Sequence, residues 1–239
     1  MRDLSNIRCV QCDVSNRGIF HTLEDDLIEK IDREKTVGFH RPGQILFSEG
    51  MPCWGVCCIH SGAVKVYKLG ERGEVQIIRV LGPSELVGLR PLVSNEPFAA
   101  TVEALENTIT CFFPRETILD LIRKSDAFAF DVMAHLAREL RLSEEMLMAM
   151  GQRSVKRRAA YLLLWLYAGD GLATQKGLSS GALLKKKEMA QIIGTSPETF
   201  SRILKKFAEE GLIDLTHRNI RLLDEGSLRA MATIGGTYT

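Results

Sequence analysis

The chain has 239 residues, of which 45% are hydrophobic and 26% are charged, a composition typical of a soluble globular protein with one large domain or two modest ones. No apolar run approaches the roughly 18 residues that a membrane-spanning helix needs, and the N-terminus has no apolar signal-peptide core. We therefore expect a cytoplasmic protein without a membrane partner. In that compartment the six cysteines are expected to be reduced, metal-bound or redox-active rather than paired in disulfides.

The net charge of +1 hides an asymmetry along the chain. Residues 152–239 contain 14 Lys and Arg against 8 Asp and Glu, whereas residues 1–151 contain 17 against 22. The C-terminal part therefore carries +6 and the rest carries −5. All six cysteines lie in the acidic part. This division predicts a polyanion-binding module joined to a separate sensing module.

The acidic part begins with a Cys-x-x-Cys pair and continues into a mixed α and β pattern. The segment LEDDLIEKIDRE (Leu23–Glu34) has apolar residues at helical spacing and acids at its start, which predicts a short amphipathic helix. From Thr36 to Phe113, six to eight short runs rich in Val, Ile and Tyr are separated by glycines, and residues 70–73 mark a hairpin tip. These runs predict a small antiparallel β-barrel or double-sheet roll.

A long helix is predicted from Ser125 to about Gly151. Its apolar positions alternate spacings of four and three over about three heptads, and charged residues flank them. Such a stripe can lie on the barrel of its own chain or face a second copy. We interpret it as a homodimer seam because the stripe is narrow and its flanks are charged. The seam residues are Met133, Leu136, Leu140, Leu147 and Met150.

The basic part contains the segment KKKEMAQIIGTSPETFSRILKKFAEEGLIDLTHRNIRLLD, residues 185–224. It predicts a helix over residues 186–193, ended by Gly194, and a second helix capped by Thr195 or Ser196 with Pro197 in its first turn. The residues after the second helix predict a two-stranded wing with its tip at 217–219. Together with a preceding helix, VKRRAAYLLLWLYAGD, and a loop over 174–184, this pattern predicts a winged helix-turn-helix.

The exposed face of the second helix carries side chains suited to reading DNA. Arg202 can reach O6 and N7 of guanine, Glu198 can accept from N4 of cytosine, and Ser201 can reach a base edge or a thymine methyl. The alternative is a solvated face on which Glu198 and Arg202 form an i,i+4 salt bridge. The helix, glycine turn, capped helix and wing together favour the DNA interpretation. The expected phosphate contacts are Thr195, Ser196, Thr199, Lys186, Lys205, Lys206 and Arg218.

With the Glu-x-x-Ser-Arg pattern of Glu198, Ser201 and Arg202, and the glycines of RPGQILFSEG and HSGAVKVY, the chain resembles the CRP/FNR family of bacterial transcription regulators, and its FNR branch most closely. The resemblance implies an α+β fold: a cysteine segment (1–22), a β-roll sensor domain (23–124), a dimerisation helix (125–151) and a winged helix-turn-helix domain (152–239). It also implies a homodimer that binds palindromic double-stranded DNA with TTGAT-like half-sites, contacts RNA polymerase and acts as an activator.

The resemblance extends to the cysteines. Cys9 and Cys12 match the first two N-terminal ligands of the oxygen-sensitive iron–sulfur cluster of FNR, and Cys111 matches the ligand in its barrel. Gly18 stands where the third N-terminal ligand is expected. A four-iron cluster takes four protein ligands, so a substitute is needed. We favour Cys53 over Cys57, Cys58, Asp13 and His21.

Other effectors stay open at this point. The cyclic-nucleotide cassette of the family carries Arg, then Ser or Thr, then Ala, but Phe98, Ala99 and Ala100 stand here, which argues against a cyclic-nucleotide-binding regulatory module. A thiol switch, a structural zinc site, another small ligand in the barrel, or haem held by His21, His40 or His60 are the alternatives. No nucleophile–base pair, phosphate loop or metal-hydrolase signature predicts an enzyme.

Overall fold

A computed structural model describes residues 7–12, 14, 18–152, 154–167, 184–215 and 220–232. The chain forms two compact units, one from residues 1–68 and 80–142 and the other from residues 69–79 and 143–239. Within the described ranges, no helix is both long enough and apolar enough to cross a membrane.

Residues 36–114 form two four-stranded sheets of antiparallel strands. One sheet has the order β1-β8-β3-β6 and the other the order β2-β7-β4-β5, which confirms the predicted double-sheet roll. The hairpin tip predicted at residues 70–73 lies between β4 and β5, where the Gly70 amide donates to the Glu74 carbonyl. The strands are β1 (Thr36–His40), β2 (Ile45–Phe47), β3 (Gly55–Ser61), β4 (Val64–Leu69), β5 (Val75–Leu81), β6 (Leu86–Val87), β7 (Thr101–Ala104) and β8 (Thr108–Pro114).

Helices precede, interrupt and follow this run of strands in the chain. The predicted amphipathic helix is α1 (Asp25–Glu34), and the predicted long helix is α4 (Asp126–Gln152). Two further helices were assigned no element from the sequence: α2 (Leu89–Ser94) and α3 (Arg115–Lys124). α3 has the usual signals, with buried residues at helical spacing, an acid in its first turn and bases in its last.

An aromatic cluster joins the N-terminal segment to the sheet and to α4. The ring of Phe20 lies 4.9 Å from that of Phe113 on β8 and stacks at 5.8 Å on that of Phe128 on α4. All three rings are almost fully buried. Burying a Phe side chain stabilises a fold by about 2–3 kcal/mol, and aromatic pairs add about 1 kcal/mol. The N-terminal segment is therefore part of the core of this unit.

The second unit carries the helix-turn-helix pattern. Its elements are α5 (Val155–Tyr167), α6 (Lys186–Ile192), α7 (Pro197–Glu209), β9 (Ile213–Leu215), β10 (Ile220–Leu222) and α8 (Glu225–Ala232). β9 and β10 pair antiparallel, as predicted for the wing. The predicted wing tip and the loop over residues 174–183 lie outside the described residues. α8 was not predicted from the sequence; it contacts α5 and buries Leu228 and Ala232.

Gly88 lies between β6 and α2, where two backbone segments approach each other closely. It has φ +96°, and an added Cβ would lie 2.8 Å from the carbonyl oxygen of Gly55. Gly88→Ala therefore combines a left-handed conformation, which costs about 1–2 kcal/mol, with a backbone clash. Gly73→Ala is the matched control, because Gly73 has φ +82° and open space around it. We expect the Gly88 variant to lose clearly more free energy of unfolding in denaturant titrations; equal losses would contradict the clash.

Candidate nucleic-acid interface and cysteine site

Local sequence positions the recognition helix. Gly194 (φ +62°) ends the turn after α6, and the Ser196 hydroxyl accepts from the Thr199 amide as the N-cap of α7, with Pro197 at the first helical position. The inner face of α7 buries Phe200, Leu204 and Phe207 completely or nearly so. These features confirm the predicted helix, turn and cap, and they fix which face of α7 points outward.

The three predicted base-reading side chains share that outward face. Glu198, Ser201 and Arg202 are all exposed. Arg202 donates to the Thr199 hydroxyl at 3.3 Å, and among the described residues it forms no salt bridge with Glu198. The amide of Glu198 itself and the Ser196 hydroxyl lower the pKa of Glu198, so its carboxylate is charged at neutral pH. The face therefore offers a charged acceptor, a hydroxyl and a guanidinium over little more than one helical turn.

The predicted phosphate contacts surround this face. Lys186 is exposed, Lys205 and Lys206 are 80% and 63% exposed, and both of the latter lie 4.0 Å from a glutamate one turn later. Exposed pairs of this kind contribute little and are readily exchanged for phosphate. Thr195 is half-buried and Ser196 exposed. Arg218 lies outside the described residues.

The N-terminal cysteines are packed against the first unit. Cys9 begins a short 3-10 turn (Cys9–Gln11), is 5% exposed, and its amide donates to Asp32 on α1 at 2.7 Å. The Cys12 sulfur lies 3.4 Å from Nδ1 of His60 on β3. Both members of the Cys-x-x-Cys pair are therefore held by residues of the roll and of α1.

Cys111 and Cys58 lie directly opposite each other on β8 and β3. Opposed residues of an antiparallel pair project from the same face, with Cβ atoms about 5 Å apart. Burial raises the pKa of Cys111 to about 11, and it raises that of Cys58 well above its usual value. Neighbouring thiol groups raise the pKa of Cys58 further; they belong to Cys111, Cys57, Cys12 and Cys9.

A buried ion pair lies beside these thiols. The side chains of Lys35 and Asp32 are 5% and 9% exposed and form a salt bridge, and Arg8 contacts Asp32 at 2.9 Å. Burial raises the pKa of Cys9 to about 12, against the opposing charge and hydrogen bond of Lys35. The Lys35 charge also opposes the rise at Cys111. Lys35 therefore favours negative charge on these two sulfur atoms, while its partner Asp32 opposes it.

The other proposed ligands lie elsewhere. The Cys53 thiol donates to the carbonyls of Gly55 and Gly88 at 3.3 and 3.4 Å. Burial raises the pKa of Cys53, and the Gly55 backbone and the charge of Arg115 oppose that rise. Cys57 follows the strand alternation onto the opposite face from Cys58 and is hydrogen-bonded to Thr110. Cys53 is thus held by other groups, and Cys57, although near enough for its charge to act on Cys111, lies on the opposite face of β3.

The histidines differ in their surroundings. His21 donates to the Gly18 carbonyl at 3.0 Å and lies 3.7 Å from Asp131. His40 contacts the Thr110 hydroxyl at 3.0 Å, and burial lowers its pKa. Asp13 lies outside the described residues. Over the described ranges, no three His, Cys, Asp or Glu side chains lie close enough to bind one metal ion together. That spacing does not suit mononuclear zinc, whose ligands converge on one point.

In the segment that resembles a cyclic-nucleotide cassette, a buried aromatic side chain stands where the family carries an arginine. Phe98 is 5% exposed and stacks on Phe47 at 4.5 Å. The nearby arginines are engaged with protein atoms: Arg90 pairs with Glu96 at 2.8 Å, and Arg115 donates to the Leu92 carbonyl and to Asn95. No guanidinium stands at the position where the resemblance would place a phosphate partner.

The apolar stripe of α4 is largely exposed in the single chain. Met133, Leu140 and Leu147, seven residues apart, are 54%, 62% and 74% exposed. Leu136 packs against the core of the first unit, and Met150 is half-buried. Exposed leucines and methionines at heptad spacing are typical of a helix that buries this face against another chain.

Two family models match this arrangement. A cyclic nucleotide-binding domain matches residues 38–125, and a Crp-like helix-turn-helix domain matches residues 157–231. With the roll and the capped recognition helix, they define a DNA-binding transcription regulator that carries a sensor domain.

The chain is also similar over nearly its whole length to individual regulators of transcription. The chain is 27% identical over 235 residues to the transcriptional activator protein anr of Pseudomonas aeruginosa (97% of this chain, 95% of the relative). It is 25% identical to the fumarate and nitrate reduction regulatory protein of Vibrio cholerae (95% and 91%). Its fold matches FixK2 from Bradyrhizobium japonicum with a TM-score of 0.74 at 23% identity, over 84% of this chain and 99% of that one. The chain belongs to the CRP/FNR family, whose members regulate transcription and are not enzymes.

Sequence reasoning missed Lys35, and it ranked Cys58 below Cys53. The place of Cys58 depends on the register between β3 and β8, which are about 50 residues apart in the chain and whose pairing no local pattern reveals. Lys35 follows an amphipathic helix and gave no signal of burial. The alternation along β3 does separate Cys57 from Cys58, and it was the one available indication that the two cysteines face different surroundings.

The cap of α7 can be tested separately from DNA contact. Ser196→Ala removes the hydroxyl that accepts from Thr199, so we expect a loss of about 1 kcal/mol in the free energy of unfolding without DNA. Ser201→Ala is the control, because Ser201 is exposed within the helix, where alanine is well tolerated. Denaturant titration measures both variants. Equal stabilities of the Ser196 variant and the wild type would contradict the capping role.

Proposed function

We propose that the chain is a homodimeric, sequence-specific transcription activator whose DNA affinity is set by an iron–sulfur cluster that responds to oxygen, redox state or nitric oxide. The observation that carries this proposal is the placement of the N-terminal cysteine segment. It is packed at once against the strand that holds Cys111 and against the helix that bears the exposed apolar stripe.

The DNA-reading part rests on the exposed face of α7. We assign base contacts to Glu198, Ser201 and Arg202, and phosphate contacts to the surrounding lysines and hydroxyls. By resemblance, the target is a palindrome of TTGAT-like half-sites, and the bound dimer contacts RNA polymerase. A two-fold operator needs two recognition helices about one DNA turn apart, which a single chain does not supply.

The dimer part rests on α4. Its stripe exposes Met133, Leu140 and Leu147, while Leu136 remains packed on the first unit. A symmetric pairing of two such helices would bury each stripe against its copy. Anything that alters the position of α4 relative to the roll would then change the free energy of dimerisation.

The residues around the cysteine site fit an anionic cluster. Cys9, Cys12 and Cys111 supply sulfur donors, and the buried ammonium of Lys35 offsets negative charge beside Cys9 and Cys111. The thiols must lose their protons to bind iron, against burial that favours the protonated form, and Lys35 reduces that cost. When bound, the cluster supplies a group that oxygen or nitric oxide can degrade. Its ligands bind different irons, so they need not converge on one point.

The contacts of the N-terminal segment connect this site to α4. Phe20 stacks on Phe128 of α4, and the Thr22 hydroxyl donates to Asp131 of α4 at 2.7 Å. Cys12 and Phe20 belong to the same short segment, so fixing the cysteines also fixes these contacts. Releasing the cysteines would free the segment and shift α4 away from the arrangement that favours pairing.

The direct test is purification without oxygen, with a visible spectrum and iron and sulfide assays. A brown protein with about four irons and four sulfides per chain that bleaches in air supports the proposal. A colourless protein that still binds a TTGAT-like palindrome would leave the DNA-binding function intact and overturn the cluster as its effector. Haem addition and thiol oxidation would then be tested on the same sample.

Arg202→Ala tests base reading. We expect a loss of about 1–3 kcal/mol in binding free energy for the preferred site and relaxed specificity at one base pair, because a bidentate contact to guanine is removed. Lys205→Ala is the control; it should weaken binding to all sequences about equally and lower the salt slope by about 1. Binding titrations against single-base variants of the site distinguish the two. A uniform loss for the Arg202 variant would identify a phosphate contact instead.

Leu140→Glu tests the dimer. Leu140 is 62% exposed in the single chain, so the variant should fold normally, but pairing would bury an unpaired carboxylate at high cost. Sedimentation velocity should show a monomer, with palindrome binding weakened at least about tenfold. Leu69→Glu is the matched control, since Leu69 is 60% exposed at the end of β4. A Leu140 variant that remains dimeric would exclude this stripe as the interface.

A further inference from the structure

We propose that Cys58 is the fourth cluster ligand, so that this chain holds its iron–sulfur cluster with two thiolates from the N-terminal segment and two from the sheet. The inference rests on the proposed function and deepens it. It replaces the expectation from sequence that Cys53 fills the position left by Gly18.

The register between β3 and β8 supports this assignment. Cys58 on β3 is the direct partner of Cys111 on β8, so the two sulfur atoms project from one face of the sheet. Cys57 alternates to the opposite face. Cys111 is the cysteine that the resemblance assigns to the cluster. The strand pairing therefore places a second thiol beside an assigned ligand without any rearrangement of the backbone.

The N-terminal cysteines lie close to the face of the sheet that carries Cys58 and Cys111. Cys12 contacts His60, two residues beyond Cys58 on β3. Cys9 is buried beside Asp32 and Lys35, where α1 ends and leads into β1. β1 pairs with β8, with Val37 opposite Cys111. The N-terminal pair and the sheet pair thus line the same small region.

The backbone around Gly18 leaves little room for a side chain. A Cβ added there would lie 3.3 Å from the carbonyl oxygens of Val14 and Ser84, tighter than most side chains tolerate. The chain has glycine at this position, and a side chain here would require the neighbouring backbone to shift by a few tenths of an ångström. Cys53 is no better, since its thiol is already hydrogen-bonded to the carbonyls of Gly55 and Gly88.

The test compares Cys58→Ser with Cys57→Ser in the full chain, reconstituted with iron and sulfide without oxygen. Cys57 is the matched control because it is the adjacent residue on β3 and is equally buried, at 3% exposed against 5%. Iron and sulfide content, the visible spectrum and electron paramagnetic resonance are the readouts. The circular dichroism and melting temperature of both cluster-free variants establish that they are folded to the same extent.

We expect the wild type and the Cys57 variant to bind about four irons per chain, and the Cys58 variant either to lose the cluster or to keep about three irons with an altered resonance signal. Should the Cys58 variant lose its fold as well, Cys58→Ala, which removes the sulfur without adding a buried hydroxyl, supplies the same comparison. A Cys58 variant with wild-type iron and spectrum would overturn the assignment while the cluster itself stands. A wild type without iron would overturn the cluster, and Cys58 as its ligand with it.

Discussion

The antiparallel pairing of β3 with β8 is the constraint on which the first unit depends. It sets Cys58 against Cys111 on one face of the sheet. At the end of the same ladder it brings Phe113 under Phe20, whose ring also stacks on Phe128 of the long helix. A slip of one residue between the two strands would put Cys58 and Cys111 on opposite faces of the sheet. One set of backbone hydrogen bonds therefore positions both the sulfur donors and the contacts that lead from them to α4.

The two proposed functional regions lie in opposite physical environments. The sulfur atoms are buried, next to an ion pair that is itself almost inaccessible, so charge at this site interacts strongly and responds sharply to chemical change. The reading face of α7 is exposed, and its charges are screened by solvent until DNA replaces the water. The acidic and basic parts of the chain correspond to this division. In sequence, a long helix lies between the two parts. Its apolar stripe is partly exposed in the single chain.

The elements that sequence predicted well are those with local causes. Gly194, Ser196 and Pro197 fix the turn and the start of α7 through their own backbone and hydroxyl chemistry, and the structure agrees residue by residue. The double-sheet roll followed from short apolar runs cut by glycines. The partner of Cys58 could not be predicted, because register between distant strands is decided by the packing of the whole roll. α3 was not predicted, although it has an acid in its first turn and two bases in its last turn, which are typical of a helix.

The stack of Phe98 on Phe47 has a consequence for how information can enter the roll. A protein whose pocket is completed by a ligand gains stability in proportion to the logarithm of ligand concentration, so that its folding equilibrium reports the ligand. The Phe98–Phe47 stack is made within the chain, so its contribution to stability does not depend on the concentration of any ligand.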